Sequence, residues 1–463
     1  MATGHRQAAV RSQQQAVTTK QQAVITQRQG VTTQRQAAST QGRAARMLLL
    51  ALCAGCALEV LAAPRQDLLD RVEKEKPAVI ESLREIVGID SGSRDKPGLD
   101  KLATLIGSRL EALGAKVERA SGTAEVVALE DTPKEIGDIV IGRLSGKGTR
   151  DILLLAHMDT VYPAGTVAKM PFRIDGNRAY GPGIADDKAG VALILHTLAL
   201  LKAQGFDDYR SLTVVINGDE EISSPGSRKL IERIAAEHEV VFSCEPTPVN
   251  SDRLDIATSG IASASMVVHG RSSHAGAAPE LGRNALTELA HRLLQLGELS
   301  DPARGIKFNW TMAQAGTTRN VIPDRATAMA DVRVQKLDDY AAIEQKFLEA
   351  AKGPARVPDT RLETRFQQRR PPLEATDASR TLARKAQAVY GELGKKLEIE
   401  DSGSGGGTDA AFAALSRKPA VLESFGFAGA NYHSNEAEYI DLESIVPRLY
   451  LLTRMVMDYG QDK

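Results

Sequence analysis

Aromatic residues are scarce in this 463-residue chain: nine Tyr, nine Phe and one Trp, 4% in all. That is too few for the stacking platforms of single-strand binders, which argues against nucleic acid as a partner. Cysteine is scarcer still, at Cys53, Cys56 and Cys244 only. Two of the three fall in an N-terminal apolar run, so no disulfide framework holds the fold. Acidic residues are missing altogether from the first 46 positions, which carry seven of the 58 Lys and Arg. Positions 47–463 therefore hold 51 basic against 59 acidic side chains, a net charge of −8. A mildly acidic body argues against a polyanionic partner and suits a protein whose site collects cations. The overall balance is that of a globular protein, 42% hydrophobic and 25% charged. The length predicts two domains.

The N-terminus separates into two segments. From Gln14 to Gln41 a seven-residue unit repeats as QQAVTTK, QQAVITQ, RQGVTTQ and RQAASTQ. It lacks the second apolar seam position of a coiled coil and is read as disordered low-complexity sequence over 1–46. The apolar run MLLLALCAGCALEVLAAP follows Arg43 and Arg46 and reads as a secretory signal over 47–63, with the mature chain starting near Pro64. A lipoprotein signal acylated on Cys56 is the rival reading. On the secretory reading the expectation is a periplasmic or secreted protein with no membrane association once the signal is removed.

Helical periodicity runs through Leu68 to Val87 and Leu99 to Leu113. Short, branched apolar runs at Ile139 to Leu144, Ile152 to Ala156, Leu212 to Ile216 and Val240 to Ser243 predict strands buried on both faces. Helical patterns at Ala189 to Ala203 and Ser227 to Glu237 lie between them, the signature of a mostly parallel α/β sheet. Around Thr258 the texture changes to alternation, SASMVVHG. There follow a helix from Asn284 to Leu296, strands at Phe308 to Ala315 and Ala326 to Val334, and a helix at Ala341 to Ala351. The expected organisation is an α/β sheet domain over 64–257, interrupted by a smaller α+β domain over 258–369 and completed over 370–463.

Strand ends carry the chemistry. One strand runs into His157-Met158-Asp159, another into Gly218-Asp219-Glu220-Glu221, a third into Cys244-Glu245, and the last leads through a loop to His433. Asp186 and Asp187 follow a Gly-Pro-Gly turn and precede a helix. In an open parallel sheet the carboxyl ends of the strands form one rim, so these residues should converge. Two imidazoles and three carboxylates suit two zinc ions, with one carboxylate bridging. Taken singly, each has a plainer reading. A His after a strand can be structural, the Asp pair a helix cap, the Glu pair loop charge and Glu245 before Pro246 a turn.

In LLAHMDTVYPAG, AYGPGIADDKAG, SSHAGAAPELGRNAL and GGGTDAAFAAL the chain resembles the aminoacylase and carboxypeptidase family of two-zinc metallopeptidases, most nearly the bacterial glutamate carboxypeptidases, from about Asp67 to Asp458. The resemblance implies a zinc-peptidase catalytic domain interrupted by a lid and dimerisation domain, two Zn2+ per chain and a homodimer. It implies hydrolysis of the amide before a C-terminal glutamate in folates or in N-acyl or peptidyl glutamates. By the same token His157 and Glu245 hold one zinc, Glu221 and His433 the other, and Asp186 bridges. Asp159 orients His157, and Glu220 is the general base. His274 reaches the neighbouring subunit's site, and Asn320, Arg333, Arg370, Gly407 and Thr408 bind substrate, with Arg369 adjoining Arg370. Two departures bear on substrate: Ile222-Ser223-Ser224-Pro225 replaces a small Gly-Ser turn, and Arg253 stands where a lysine is expected. A broader N-acyl amino acid deacylase or dipeptidase is the competing enzyme reading. A catalytically silent binding protein would lack a ligand or the base, and none is missing.

Overall fold

The structure is a computed structural model that describes residues 63–461 apart from 404 and 435. The repeat and nearly all of the apolar run lie outside the described residues, as does Ser404 of the glycine run. Six strands form the main sheet: β1 (Lys116–Ala120), β2 (Ile139–Ser145), β3 (Asp151–His157), β4 (Ser211–Asn217), β5 (Val240–Ser243) and, far along the chain, β10 (Ala420–Leu422). Their order is β1-β2-β4-β3-β5-β10. Neighbours among β4, β3, β5 and β10 are parallel, while β2 runs antiparallel to β4 and to β1.

Every residue of β3 is buried because both faces of the sheet are covered. Ile152, Leu154 and Ala156 enter one apolar cluster with the helices α1 (Gln66–Val87), α2 (Lys96–Leu113), α3 (Ala189–Ala203), α7 (Asp377–Glu392) and α8 (Ile445–Gln461). Leu153 and Leu155 enter another, beneath α4 (Arg228–Ala235) and the helical turn Ala410–Ala413. That division follows the alternation of side chains along a strand. The sequence GVALILHTLALL leaves α3 almost no polar face, and nearly all of it is buried. No helix among the described residues is long and apolar enough to cross a membrane.

Between α4 and α7 a second sheet forms from β6 (Gly260–His269), β7 (Lys307–Ala315), β8 (Arg325–Val334) and β9 (Arg361–Arg370), with α5 (Ala285–Leu296) and α6 (Asp339–Ala351). The chain order is βαββαβ, and the antiparallel sheet order is β7-β8-β6-β9. It has its own apolar cluster, in which Ala262, Ala264, Met266 and Val268 of β6 face Leu289 and Phe347 of the two helices. Burial alternates strictly along β6 and β8. The residues that do not pack on the helices, among them Ile261, Met329, Asp331 and Arg333, are therefore presented on the sheet's other face.

A third, five-stranded sheet is built from very short pieces, in the order Arg173–Asp175, Arg178–Tyr180, Tyr439–Asp441, Ala428–Ala430 and Thr247–Pro248. Its hairpin between residues 430 and 439 carries His433.

Candidate metal centre

Strands β4, β3 and β5 lie side by side and parallel, so Glu220-Glu221, His157 and Glu245 emerge from one rim. The turn Ile184–Lys188 before α3 adds Asp186 and Asp187, and the hairpin adds His433. His157 Nε2 lies 3.1 Å from Asp186 Oδ1 and 3.5 Å from Glu245 Oε1. His433 Nε2 lies 2.9 Å from Glu221 Oε2 and 3.3 Å from Asp186 Oδ2. Asp186 thus turns one oxygen to each imidazole.

By proximity alone the first group could equally be His157, Asp187 and Glu245, whose donor atoms lie within 4.8 Å of one another. The oxygens of Asp187, however, accept the backbone N–H groups of His157 and Gly190 at 3.2 and 3.1 Å. We therefore read Asp187 as a brace for the turn and Asp186 as the shared group.

The charge balance of this cluster calls for cations. Burial pushes the Glu245 carboxyl well above the carboxylate range, and it lifts Glu221 to about 7. Burial acts on Asp186 too, but its hydrogen bonds to His157 and His433 hold it below its ordinary value. The same contacts, with Asp186 and Glu221, raise His433 to about 11. Burial opposes the charged form of His157, yet the carboxylates of Glu245, Asp159 and Asp186 around it raise its pKa well above the usual range. Buried carboxylates in excess over imidazoles are costly unless a cation compensates them. Imidazole nitrogen and carboxylate oxygen are the donors that zinc and similar ions take.

Asp159, fully buried, ties the site together. Its Oδ1 accepts the N–H of Glu220 at 3.0 Å, and its Oδ2 accepts the N–H of Glu221 at 3.1 Å and the Ser93 hydroxyl at 2.7 Å. His157 Nδ1 stands 3.0 Å from the Asp159 carbonyl and 3.3 Å from its Oδ1. With the proton on Nδ1, Nε2 is free to face the cluster. One carboxylate thereby sets both the imidazole and the Glu220-Glu221 turn.

That turn is a single 3₁₀ turn, Glu220–Ile222, and its two carboxylates diverge. Glu221 goes to His433, whereas Glu220 Oε1 lies 2.8 Å from Arg370 Nη2. Burial drives the Glu220 carboxyl well up, with Arg370 pulling the other way. The Ser223-Ser224 departure adopts positive φ at both residues, 70° and 54°, and the Ser224 hydroxyl donates to Asp409 Oδ1.

A cleft of about 750 Å³ opens over the cluster, between the main-sheet rim and the open face of the second sheet. Arg333 lines it, with Nε and Nη2 on the carboxylate of Asp331 at 2.8 and 2.9 Å and Nη1 on the Gly405 carbonyl at 3.1 Å. Arg253 and Arg369 line it as well, paired with Asp255 and Asp131. Arg370, expected to face substrate, also lines the cleft, but it is buried and directs its terminal nitrogens at Glu220 and Asp409. Gly407 and Thr408 are on the cleft wall. A Cβ on Gly407 would sit 2.8 Å from the Ser259 carbonyl and 2.9 Å from Arg370 Cδ, so only glycine fits there. The Thr408 hydroxyl donates to Glu423 Oε2 at 2.8 Å.

His274 and Asn320 are brought together, but away from this cleft. The Ala275 N–H donates to the Asn320 carbonyl at 2.9 Å, and His274 pairs with Val321 in an isolated bridge. Both residues are exposed, and neither lines the cleft. His274 Nδ1 accepts the N–H groups of Gly276 and Ala277, which leaves Nε2 as its outward donor.

Sequence reasoning missed Glu438. It is buried and accepts the N–H groups of Gly183, Ala185 and Asp186 at 2.9, 2.7 and 3.0 Å, which fixes the Asp186 turn from the His433 hairpin. Nothing in the spacing of the sequence marks that role, because it is made by hydrogen bonds to backbone.

A model of the family described as Peptidase family M20/M25/M40 matches residues 153–458. Carboxypeptidase G2 of Pseudomonas sp. strain RS-16 is 43% identical over 421 residues, covering 90% of this chain and 98% of that protein. A succinyl-diaminopimelate desuccinylase of Gluconobacter oxydans is 30% identical, over 66% of this chain and 81% of its own length. Among solved structures, aminopeptidase PepT of Bacillus cereus superposes with a TM-score of 0.67 at 20% identity, covering 83% of this chain and 99% of that one. A Bacillus subtilis protein described as a dinuclear metal binding peptidase from the M20 family gives 0.60 at 17% identity, covering 83% and 98%. At these identities the two structures speak for the fold alone.

Proposed function

The chain belongs to peptidase family M20/M25/M40 and is a metallocarboxypeptidase, and from that premise we propose that it releases a C-terminal glutamate by hydrolysing the preceding amide, with two zinc ions at the site. The observation that carries this reading is Asp186, shared between a His157–Glu245 group and a His433–Glu221 group at the floor of an arginine-lined cleft. His157, Glu245 and Asp186 would hold one ion, and Glu221, His433 and Asp186 the other. When bound, such a pair polarises the scissile carbonyl and makes water acidic enough to react near neutral pH.

The remaining work falls to side chains of this chain. Glu220 takes a proton from the attacking water on a carboxylate oxygen and returns it to the leaving amine nitrogen. Asp159 keeps His157 in one tautomer and keeps Glu220 and Glu221 apart. Gly407 and Thr408 offer backbone N–H groups to the substrate terminus. Arg333 leaves Asp331 or shares its fork to bind a substrate carboxylate, a charge-assisted contact worth roughly 1.5 to 3 kcal/mol. Arg333→Leu is therefore expected to lower kcat/KM for glutamate release by about tenfold to a few hundredfold. A panel of N-acyl amino acids and folates, with the released amino acid identified, checks the assignment. Release of apolar residues as fast as glutamate would instead make the protein a broader deacylase or dipeptidase.

Three further readings belong to this proposal. Residues 258–369 act as a lid and dimerisation domain on a catalytic domain of 64–257 and 370–463, supported by the separate apolar cluster of the second sheet. A homodimer brings His274, with Asn320 beside it, to the partner subunit's cleft; a monomer in sedimentation at working concentration would refute this. The chain is exported with its signal removed near Pro64. Mass spectrometry of the exported protein tests this, and acylated Cys56 would favour the lipoprotein route.

A further inference from the structure

In the glycine-rich motif GGGTDAAF, the role proposed above uses Gly407 and Thr408 and leaves Asp409 unused. Asp409 is 3% exposed, and its carboxylate takes donors from three separate parts of the chain. Arg370 Nη1 donates to Oδ1 at 2.7 Å, from the end of β9. The Ser224 hydroxyl donates to the same oxygen, from the turn that follows Glu220-Glu221. Asn217 Nδ2 donates to Oδ2 at 2.7 Å, from the last residue of β4.

Arg370 passes this constraint onward. Its Nη2 contacts both the Glu220 carboxylate, at 2.8 Å from Oε1, and the Glu220 carbonyl oxygen, at 2.8 Å. The central carbon of the guanidinium lies 5.4 Å from the Phe412 ring centroid, and Tyr340 donates its hydroxyl to the Arg370 carbonyl. A guanidinium is planar and rigid, so holding one terminal nitrogen on Asp409 restricts the direction of the other. Asp409 therefore sets where Glu220 Oε1 lies, although the two carboxylates are not in contact through any shared hydrogen bond.

We propose that Asp409 is a positioning residue for hydrolysis, holding Arg370 so that the Glu220 carboxylate keeps one oxygen on the guanidinium and the other toward the reacting water. The inference rests on Glu220 being the base. It assigns Arg370 to the enzyme's own carboxylates rather than to those of the substrate. It also gives the Ser223-Ser224 departure a role, since the Ser224 hydroxyl reaches the same oxygen of Asp409 that Arg370 does. Loose placement of a proton acceptor slows the chemical step without weakening ground-state binding.

The test is a kinetic cycle on the metal-loaded protein with Asp409→Asn, Glu220→Gln and the double variant, together with metal content and melting temperature. Asp409→Asn is expected to lower kcat by about tenfold to a hundredfold with KM within about twofold, and to cost less than about twofold once Glu220 is already Gln. Metal content should not change. An equal loss in both backgrounds would reduce Asp409 to a general structural role and overturn the proposal. So would a loss of metal. Arg370→Lys, which keeps the charge but loses the fork, should show the same kcat pattern if Asp409→Asn does not fold. A rise in KM with kcat unchanged in that variant would return Arg370 to the substrate and overturn the proposal. Wild-type turnover in Glu220→Gln alone would remove the base assignment itself, an outcome distinct from these.

Discussion

Glu220→Gln should reduce turnover by about 10² to 10⁴ fold, the usual worth of a general base, while the protein retains both metals and still binds product. Glu220 and Glu221 are adjacent and chemically identical, so only their surroundings can divide their roles. The 3₁₀ turn points Glu221 to His433 at 2.9 Å and Glu220 to Arg370 at 2.8 Å. The two Asp159 oxygens hold the backbone of both residues in that arrangement. Glutamine preserves shape and hydrogen bonding at 220 but cannot accept the proton. Glu221→Gln, by contrast, should weaken one metal site, because a neutral amide is a poorer ligand than a carboxylate. Zinc content and initial rate measured on both variants separate the cases. If Glu220→Gln loses a metal and Glu221→Gln keeps two, the roles are reversed.

Stripping the metals with a chelator should abolish activity, and added zinc should restore it. Ions held by His157, Glu245, Asp186, Glu221 and His433 would supply both the polarised carbonyl and the reactive water, so no partial rate is expected from the side chains alone. The fold should survive this treatment. His157, Glu221 and Glu245 sit at or just beyond the ends of β3, β4 and β5, while the strands' apolar residues lie in the clusters beneath α1, α3 and α8 on one face and α4 on the other. Activity assays before and after chelation, with circular dichroism on the same samples, test both halves. Full activity in chelated protein shown to be metal-free would refute the metal requirement.

The strands that carry the rim were legible because their sequences are apolar on both faces. Ile152 to Ala156 and Leu212 to Ile216 each lie one residue inside the observed strands at either end, and Val240 to Ser243 coincides with β5. The helix at Ala189 to Ala203 coincides with α3. Two charged edge strands were not legible, although the edge strand β7 was. KVERA in β1 and RLETRFQQRR in β9 are charged and open on one side, as edge strands often are, and they form because a neighbour supplies the ladder. Pieces as short as Thr247–Pro248 carry no periodicity at all.

At the site, the residues at strand ends could be named from sequence, and they do converge. Ser93, Glu438 and Asp409 could not, since each acts by hydrogen bonding to backbone or to another side chain, which spacing does not reveal. Arg370 shows the same limit from the other side. Its type and neighbourhood were readable, but whether it meets substrate or a buried carboxylate depends on depth, which is a property of the packed protein.

The most direct test of the account is the metal count. Elemental analysis of protein purified without chelator should find close to two zinc ions per chain, because Asp186 turns one oxygen to each of two imidazole–carboxylate groups. A single tightly held ion, with no second binding step on titration with zinc, would contradict it.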